Sequence, residues 1–147
     1  WSGPGGIGDE SDRNTVPLEK LYEMHYEATL ETSKCGLFDS LAHVDFPKRY
    51  LPTTIEPAAS VIDAIIDNLL ALDISREINT SPLRRGKTEA YPSAFILSRY
   101  LGRGGRYCTL GSDAHTTADI AADFDALPEY GDLLVCYYQN RKRRILG

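Results

Sequence analysis

Residues 58–78 read AASVIDAIIDNLLALDISREI, and this run predicts a helix that is followed at once by a strand. Its apolar residues recur every three or four positions, which is the spacing of one face of an α-helix. With Pro57 in the first turn, the helix is expected over 54–72. Residues 74–78 are then expected to form a short buried strand. This segment therefore predicts one unit of an α/β fold.

The rest of the chain repeats this alternation. Asn14, Thr15 and Pro17 form a helix-start signal, and Gly36 is placed to end that helix. Residues 1–15 are expected to be a loop or frayed end, and 79–89 are expected to be a loop. Further helices are expected over 92–101 and 116–124. Strands are expected over 37–42, 107–110 and 133–138. Alternating strands and helices favour a parallel sheet with helices outside it. Four such units make about half of a (β/α) barrel, which typically needs about 250 residues.

Composition limits the classes of protein that this chain can represent. Its 147 residues carry a formal net charge of −5, with 42% hydrophobic and 25% charged residues, which is typical of a globular domain. No stretch approaches the roughly 20 apolar residues of a membrane helix, so no membrane partner is expected. The acidic balance makes nucleic acid an unlikely partner, and the basic run 141–144 is interpreted as a flexible solvated end. Three cysteines without a CxxC pair indicate a reducing, cytoplasmic compartment.

Two histidines follow predicted strands and each lies two residues from an aspartate. His43 stands in the run AHVD at 42–45, and His115 ends the run GSDAH at 111–115. Residues two apart in extended backbone project to the same side, and the carboxyl ends of parallel strands meet on one face. Either pair alone could be a local hydrogen bond or a helix cap, but two pairs at equivalent strand ends favour a Zn, Fe or Mn site. The third histidine, His25, lies on an apolar helix face and is interpreted as a core or interface residue.

Charged residues in the same loops suggest anion binding. Arg49 and Arg84 could each hold a phosphate through two hydrogen bonds, although a single loop arginine is more often a solvated surface charge. Glu77 and Glu89 could pair with ligands or cations. Because Glu77 falls within a strand, a buried structural pair is the expected role for that carboxylate.

Three segments resemble the histidinol-phosphatases of the PHP (polymerase and histidinol phosphatase) superfamily. The run LFDSLAHVDFPKRY at 37–50 resembles the family's third motif. The run EINTS at 77–81, with Arg84 and then EAYPS at 89–93, resembles the next strand and loop. The run LGSDAH at 110–115 resembles the motif that closes the metal site. The resemblance extends from about residue 18 to residue 138.

This resemblance implies a distorted (β/α)7 TIM-like barrel, the PHP fold, with up to three divalent metal ions. It implies hydrolysis of L-histidinol phosphate to histidinol and phosphate in histidine biosynthesis. On the matching positions, His43, Asp113 and His115 would be metal ligands, and Asp113 and His115 would also be catalytic. Arg49 and Arg84 would bind the substrate phosphate. Pro82 stands where the family often has glycine.

The opening His-x-His motif of the family has no counterpart in this sequence. Residues 1–147 are therefore expected to be the C-terminal portion of one barrel, with the N-terminal half supplied by the same protein or by a partner chain. One alternative is another PHP-type phosphoesterase that acts on a nucleotide or another small phosphate ester, although the loop 79–93 argues against it. The other alternative is a non-catalytic remnant that needs a partner half.

Overall fold

The computed structural model describes residues 10–51, 54–128 and 131–146. It contains one five-stranded sheet in sequence order, in which β1 to β4 are parallel and β5 runs antiparallel to β4. The elements are α1 (Glu10–Thr15), α2 (Leu18–Ser33), β1 (Ser40–Leu41), α3 (Ala59–Ala71), β2 (Ser75–Asn79), α4 (Ala94–Gly102), β3 (Tyr107–Gly111), β4 (Leu134–Gln139) and β5 (Lys142–Ile145). The predicted α/β class with a mostly parallel sheet is confirmed.

Two of the predicted helices begin later than expected. Helix α3 begins at Ala59 and α4 begins at Ala94, so Pro57 and Pro92 both lie before the first helical residue. The residues just before the two helices, Ala58 and Ser93, have extended ψ angles of 133° and 157°, so helical backbone begins only at the next residue.

Helices α2, α3 and α4 pack on one face of the sheet and form the main core. The apolar stripe predicted for α3 is buried, as Ile62, Ile65, Ile66 and Leu69 show. Leu41 of β1 joins this cluster, and the guanidinium of Arg76 on β2 lies 5.2 Å from the ring centroid of Tyr100 on α4. None of the helices in the described part of the chain is long and apolar enough to cross a membrane.

The opposite face of the sheet is concave. The hydroxyl oxygens of Ser40 on β1 and Thr109 on β3 lie 2.7 Å apart, although β2 separates these two strands. Two strand spacings amount to roughly 9.5 Å in a flat sheet, which is too far for two short side chains to span. The sheet must therefore curve toward this face, and the strands bring their inward side chains together there.

The helix predicted over 116–124 is wrong. This region contains two short 3₁₀ turns, Thr117–Asp119 and Phe124–Ala126. Ala121 and Asp123 between them have φ angles of 57° and 62°, which no α-helix accommodates. The expectation of a loop over 1–15 is also wrong in part, because 10–15 forms α1, while 1–9 lies outside the described residues.

The interpretation of 141–144 as a flexible solvated end is wrong as well. These residues turn back as β5 and pair with β4, through a turn in which Asn140 and Arg141 have φ angles of 52° and 60°. Two consecutive positive φ angles are typical of a tight hairpin turn. The side chain of Arg143, only 16% exposed, donates to the carbonyl and carboxylate of Asp73 and lies 4.0 Å from the ring centroid of Tyr107. The hairpin is therefore anchored to the turn before β2.

We expect Arg143→Ala to lower the free energy of unfolding by about 2–4 kcal/mol, because it removes charge-assisted hydrogen bonds and a cation–π contact. Arg144→Ala, in an exposed position on the same strand, is the matched control and should change it by no more than about 0.5 kcal/mol. Urea denaturation of both variants measures the difference. Equal effects would mean that Arg143 does not anchor the hairpin.

Candidate active site

His43 lies directly after β1 in an unusual backbone conformation. Its φ angle is 59°, in the left-handed region that residues other than glycine seldom adopt. Its side chain is 45% exposed, and Nδ1 lies 3.8 Å from Oε2 of Glu77 on β2. The other neighbour of the ring is Phe46, whose ring centroid lies 5.1 Å away. The imidazole thus lies near both an aromatic ring and a carboxylate.

Asp45 does not accompany His43, which corrects the expectation that this pair shares one side. The Asp45 carboxylate is fully buried, accepts the backbone N–H of Ser93 at 2.7 Å and lies 3.3 Å from Nζ of Lys48. Burial raises the pKa of Asp45 even though Lys48 counteracts it. Because the backbone at His43 is left-handed rather than extended, the two-residue alternation fails at this point. Asp45 is therefore a structural anchor between the β1 loop and α4.

Asp113 lies after β3, with a φ angle of 51°, and is the centre of the charged cluster. Its carboxylate forms a short hydrogen-bonded ion pair with the Arg49 guanidinium. Nη2 of Arg85 lies 3.6 Å from Oδ2, and Nε2 of His115 lies 3.7 Å from Oδ1. The Asp113/His115 pair expected from the sequence is thus brought together, and Arg49 joins it from a distant part of the chain.

The charges around Asp113 favour its ionised form. Partial burial raises the pKa of Asp113, but the hydrogen bond and charge of Arg49 outweigh it, and His115 and His43 act in the same direction. The pKa of Asp113 therefore lies below its usual value, so this carboxylate is ionised at neutral pH.

Arg84 is held by the segment that carries Asp113. Its Nη2 donates to the carbonyl of Ser112 at 2.6 Å, and its Nε lies 3.5 Å from Oδ1 of Asp119. Nη1 is buried and has no hydrogen-bond partner within the described residues. A buried donor without an acceptor is costly, so this N–H is suited to an oxygen atom of an anionic ligand.

Sequence reasoning missed Arg85, which lies beside Arg84 on the 3₁₀ turn Leu83–Arg85. The signal was present as two consecutive arginines, but nothing in the sequence shows that the second one reaches Asp113. Arg49 and Arg85 both contact the Asp113 carboxylate, whereas Arg84 contacts the backbone carbonyls of Ser112 and Asp113. Several guanidinium groups close together are typical of a site for a phosphate group.

The other two candidate residues, Glu89 and His25, have structural roles. Glu89 accepts the backbone N–H of Ala94 at 3.1 Å and so caps α4, away from the cluster. His25 agrees with its expected core role: its Nε2 lies 2.9 Å from the carbonyl of Val44, and burial lowers its pKa. This contact attaches α2 to the segment that immediately follows His43.

The described residues offer only part of a metal site. No three His, Cys, Asp or Glu side chains within 10–51, 54–128 and 131–146 cluster closely enough to hold an ion. The pairs His43/Glu77 and Asp113/His115 do supply the nitrogen and oxygen donors that Zn, Fe and Mn accept. The donor chemistry fits such a metal, and a complete coordination shell needs further ligands.

Three curated proteins, each named "Probable histidinol-phosphatase", are similar to this chain. The protein from Thermotoga maritima is 34% identical over 106 residues, which are 71% of this chain and 45% of the relative. The protein from Deinococcus radiodurans is 33% identical over 136 residues (90% and 49%), and that from Clostridium acetobutylicum is 31% identical over 115 residues (74% and 44%). The chain spans about half the length of the curated relatives it matches. No protein-family model matches it.

Asp45→Ala is expected to destabilise the fold by about 2–4 kcal/mol, because it leaves the Ser93 N–H without an acceptor and removes one anion beside buried Lys48. Asp67→Ala, which breaks an exposed ion pair with Arg103, is the control and should cost less than about 1 kcal/mol. Chemical denaturation followed by fluorescence compares them. If Asp45→Ala is no worse than the control, the anchoring role is wrong.

Proposed function

We propose that this chain, which is related to the histidinol-phosphatases, forms part of a phosphatase whose substrate is L-histidinol phosphate. The three relatives confirm the resemblance that the sequence motifs indicate. One observation carries the proposal: Arg49, Arg85 and His115 converge on Asp113 where the parallel strands end. The relatives supply the name of the substrate, and the cluster supplies a place for its phosphate group.

Arg49 and Arg84 bind the substrate phosphate in this proposal. A phosphate monoester carries close to two negative charges at neutral pH, and a guanidinium matches its oxygen atoms with two parallel hydrogen bonds. Arg84 is oriented by the Ser112 carbonyl and keeps one buried N–H available for an oxygen. Arg49 offsets the charge that develops on the phosphoryl oxygens as the ester bond breaks.

The other part of the proposal is a set of residues that bind divalent metal ions. His43, Asp113 and His115 hold divalent ions of Zn, Fe or Mn, up to three in the complete site, with the other ligands supplied by the N-terminal half of the barrel. Bound ions of this kind lower the pKa of a coordinated water to about 7 and neutralise phosphoryl charge. Asp113 would also orient the attacking water by accepting its hydrogen bond, and the two imidazoles would bind as neutral rings.

A distorted (β/α)7 barrel of the PHP type is the architecture that we propose for the whole protein, with this chain as its C-terminal portion. The sequential parallel order of β1 to β4 and the concave face marked by Ser40 and Thr109 support it. The outer edge of β1 would receive the missing half, from the same protein or from a partner chain. The free thiols of Cys35, Cys108 and Cys136 agree with the cytoplasmic location that we expect.

His115→Ala in the protein that carries this chain should lower turnover of L-histidinol phosphate by at least about a thousandfold and reduce its metal content, because a metal ligand is lost. Lys87→Ala, an exposed change in a neighbouring loop, should leave both unchanged. Phosphate release and elemental analysis provide the two readouts. Full metal content together with full activity in His115→Ala would contradict the assignment.

The same assay identifies the substrate. We expect phosphate release from L-histidinol phosphate to exceed that from nucleoside monophosphates by at least about a hundredfold in kcat/KM. A preference for nucleotides would favour the other type of PHP phosphoesterase. No release from any ester by the metal-loaded protein would favour a non-catalytic remnant.

Arg84→Ala should raise KM for the phosphate ester by about 10- to 100-fold, since one charge-assisted bidentate contact is worth about 1.5–3 kcal/mol. Arg103→Ala, which removes a guanidinium from the surface of the helical layer, serves as the matched control and should leave KM unchanged. Steady-state kinetics at constant ionic strength distinguishes the two. An unchanged KM in Arg84→Ala would remove Arg84 from the phosphate site.

A further inference from the structure

Glu77 faces the candidate site from the concave side of the sheet. Its side chain is 17% exposed, and Oε2 accepts a hydrogen bond from the Asn79 amide at 3.3 Å. The same oxygen lies 3.8 Å from Nδ1 of His43. The sequence favoured a buried structural pair for this residue over a pairing with a ligand or cation. The His43 imidazole is thus a neighbour of this carboxylate, although 3.8 Å is too long for a hydrogen bond.

Gly111 on β3 makes room for this carboxylate. A Cβ atom at position 111 would lie 2.1 Å from Oε1 of Glu77 and 2.8 Å from its Cδ. Real Cβ contacts are essentially never this short, so any other residue at 111 would push the carboxylate out of its position. Gly111 and Glu77 lie on adjacent paired strands, and their proximity is fixed by the sheet register. The space above Gly111 is therefore occupied by Glu77.

The geometry also distinguishes the two nitrogens of His43. Nδ1 is the nitrogen that lies near Glu77, while Phe46 contacts the ring from another side. A distance of 3.8 Å exceeds an ordinary hydrogen bond by about 0.9 Å. Such bonds are often long in a site without its ligands and shorten when the site is assembled. Because the His43 side chain is half-exposed, a small rotation of its ring can shorten this distance.

We propose that Glu77 is a positioning residue that accepts the Nδ1–H of His43, and that Gly111 is required because it leaves space for this carboxylate. A proton fixed on Nδ1 leaves the lone pair of Nε2 available as a ligand, as in other sites where a carboxylate orients a metal-binding imidazole. The inference rests on the proposed function, because it assigns Nε2 of His43 as the nitrogen that binds metal.

The test uses nitrogen NMR of the histidine side chains in the protein that carries this chain, after metal removal by a chelator and at a pH where imidazoles are neutral. We expect the wild-type His43 to carry its proton mainly on Nδ1. Glu77→Leu should move the proton largely to Nε2 and lower zinc affinity by about 10- to 100-fold. Glu27→Leu, the same change at an exposed position on α2, should alter neither the tautomer nor the affinity.

Glu77→Asp is a second variant that tests the same contact if Glu77→Leu does not fold. It keeps the charge but withdraws the carboxylate by roughly 1.5 Å, the length of one carbon–carbon bond, so the Nδ1–H form should again be lost. A His43 tautomer that is unchanged in the folded Glu77 variants would overturn the proposal even if the protein hydrolyses histidinol phosphate. If the tautomer shifts as expected but the wild-type protein shows no phosphatase activity, the proposed function fails and the positioning role of Glu77 stands.

Discussion

The ionised carboxylate of Asp113 is the group on which the candidate site depends. It joins Arg49 from the turn after β1, Arg85 from the turn after β2 and its own neighbour His115. Without this negative charge, the guanidinium groups would repel one another and the loops would have no common contact point. Arg49 and Arg85 share this one carboxylate, and their further N–H donors are suited to an anionic group such as a phosphate.

The surrounding fold holds this cluster in a strained arrangement. His43 and Asp113, at the ends of two different strands, both have positive φ angles, which cost energy in residues other than glycine. Contacts outside the cluster hold the β1 loop: His25 binds the carbonyl of Val44, and Asp45 binds the backbone of Ser93. Helices α2 and α4 thus fix the backbone on which His43 depends, so packing far from the chemistry determines where the imidazole can lie.

Helix α3 was predictable from apolar periodicity, because its buried side chains form a regular stripe. The β5 hairpin was not predictable in this way, since four basic residues in succession are typical of a solvent-exposed segment. The burial of Arg143 depends on Tyr107 and Asp73, which are distant from it in sequence. The two-residue spacing predicted that Asp113 and His115 lie together but was wrong for His43 and Asp45. Both pairs begin at a residue with a positive φ angle, so the alternation of an extended strand accounts for neither arrangement. Arg85 and the Glu77–Gly111 contact were missed because they depend on the neighbouring strands and loops that the fold brings together.

The central claim is that the imidazoles after two different strands share a group of cations with Asp113. Anomalous X-ray scattering from crystals of the protein grown with zinc tests it most directly. The account predicts zinc peaks in one cluster, within about 2.0–2.2 Å of His43, Asp113 and His115 donor atoms. Peaks that avoid these residues, or imidazoles that face away from any common ion, would contradict it.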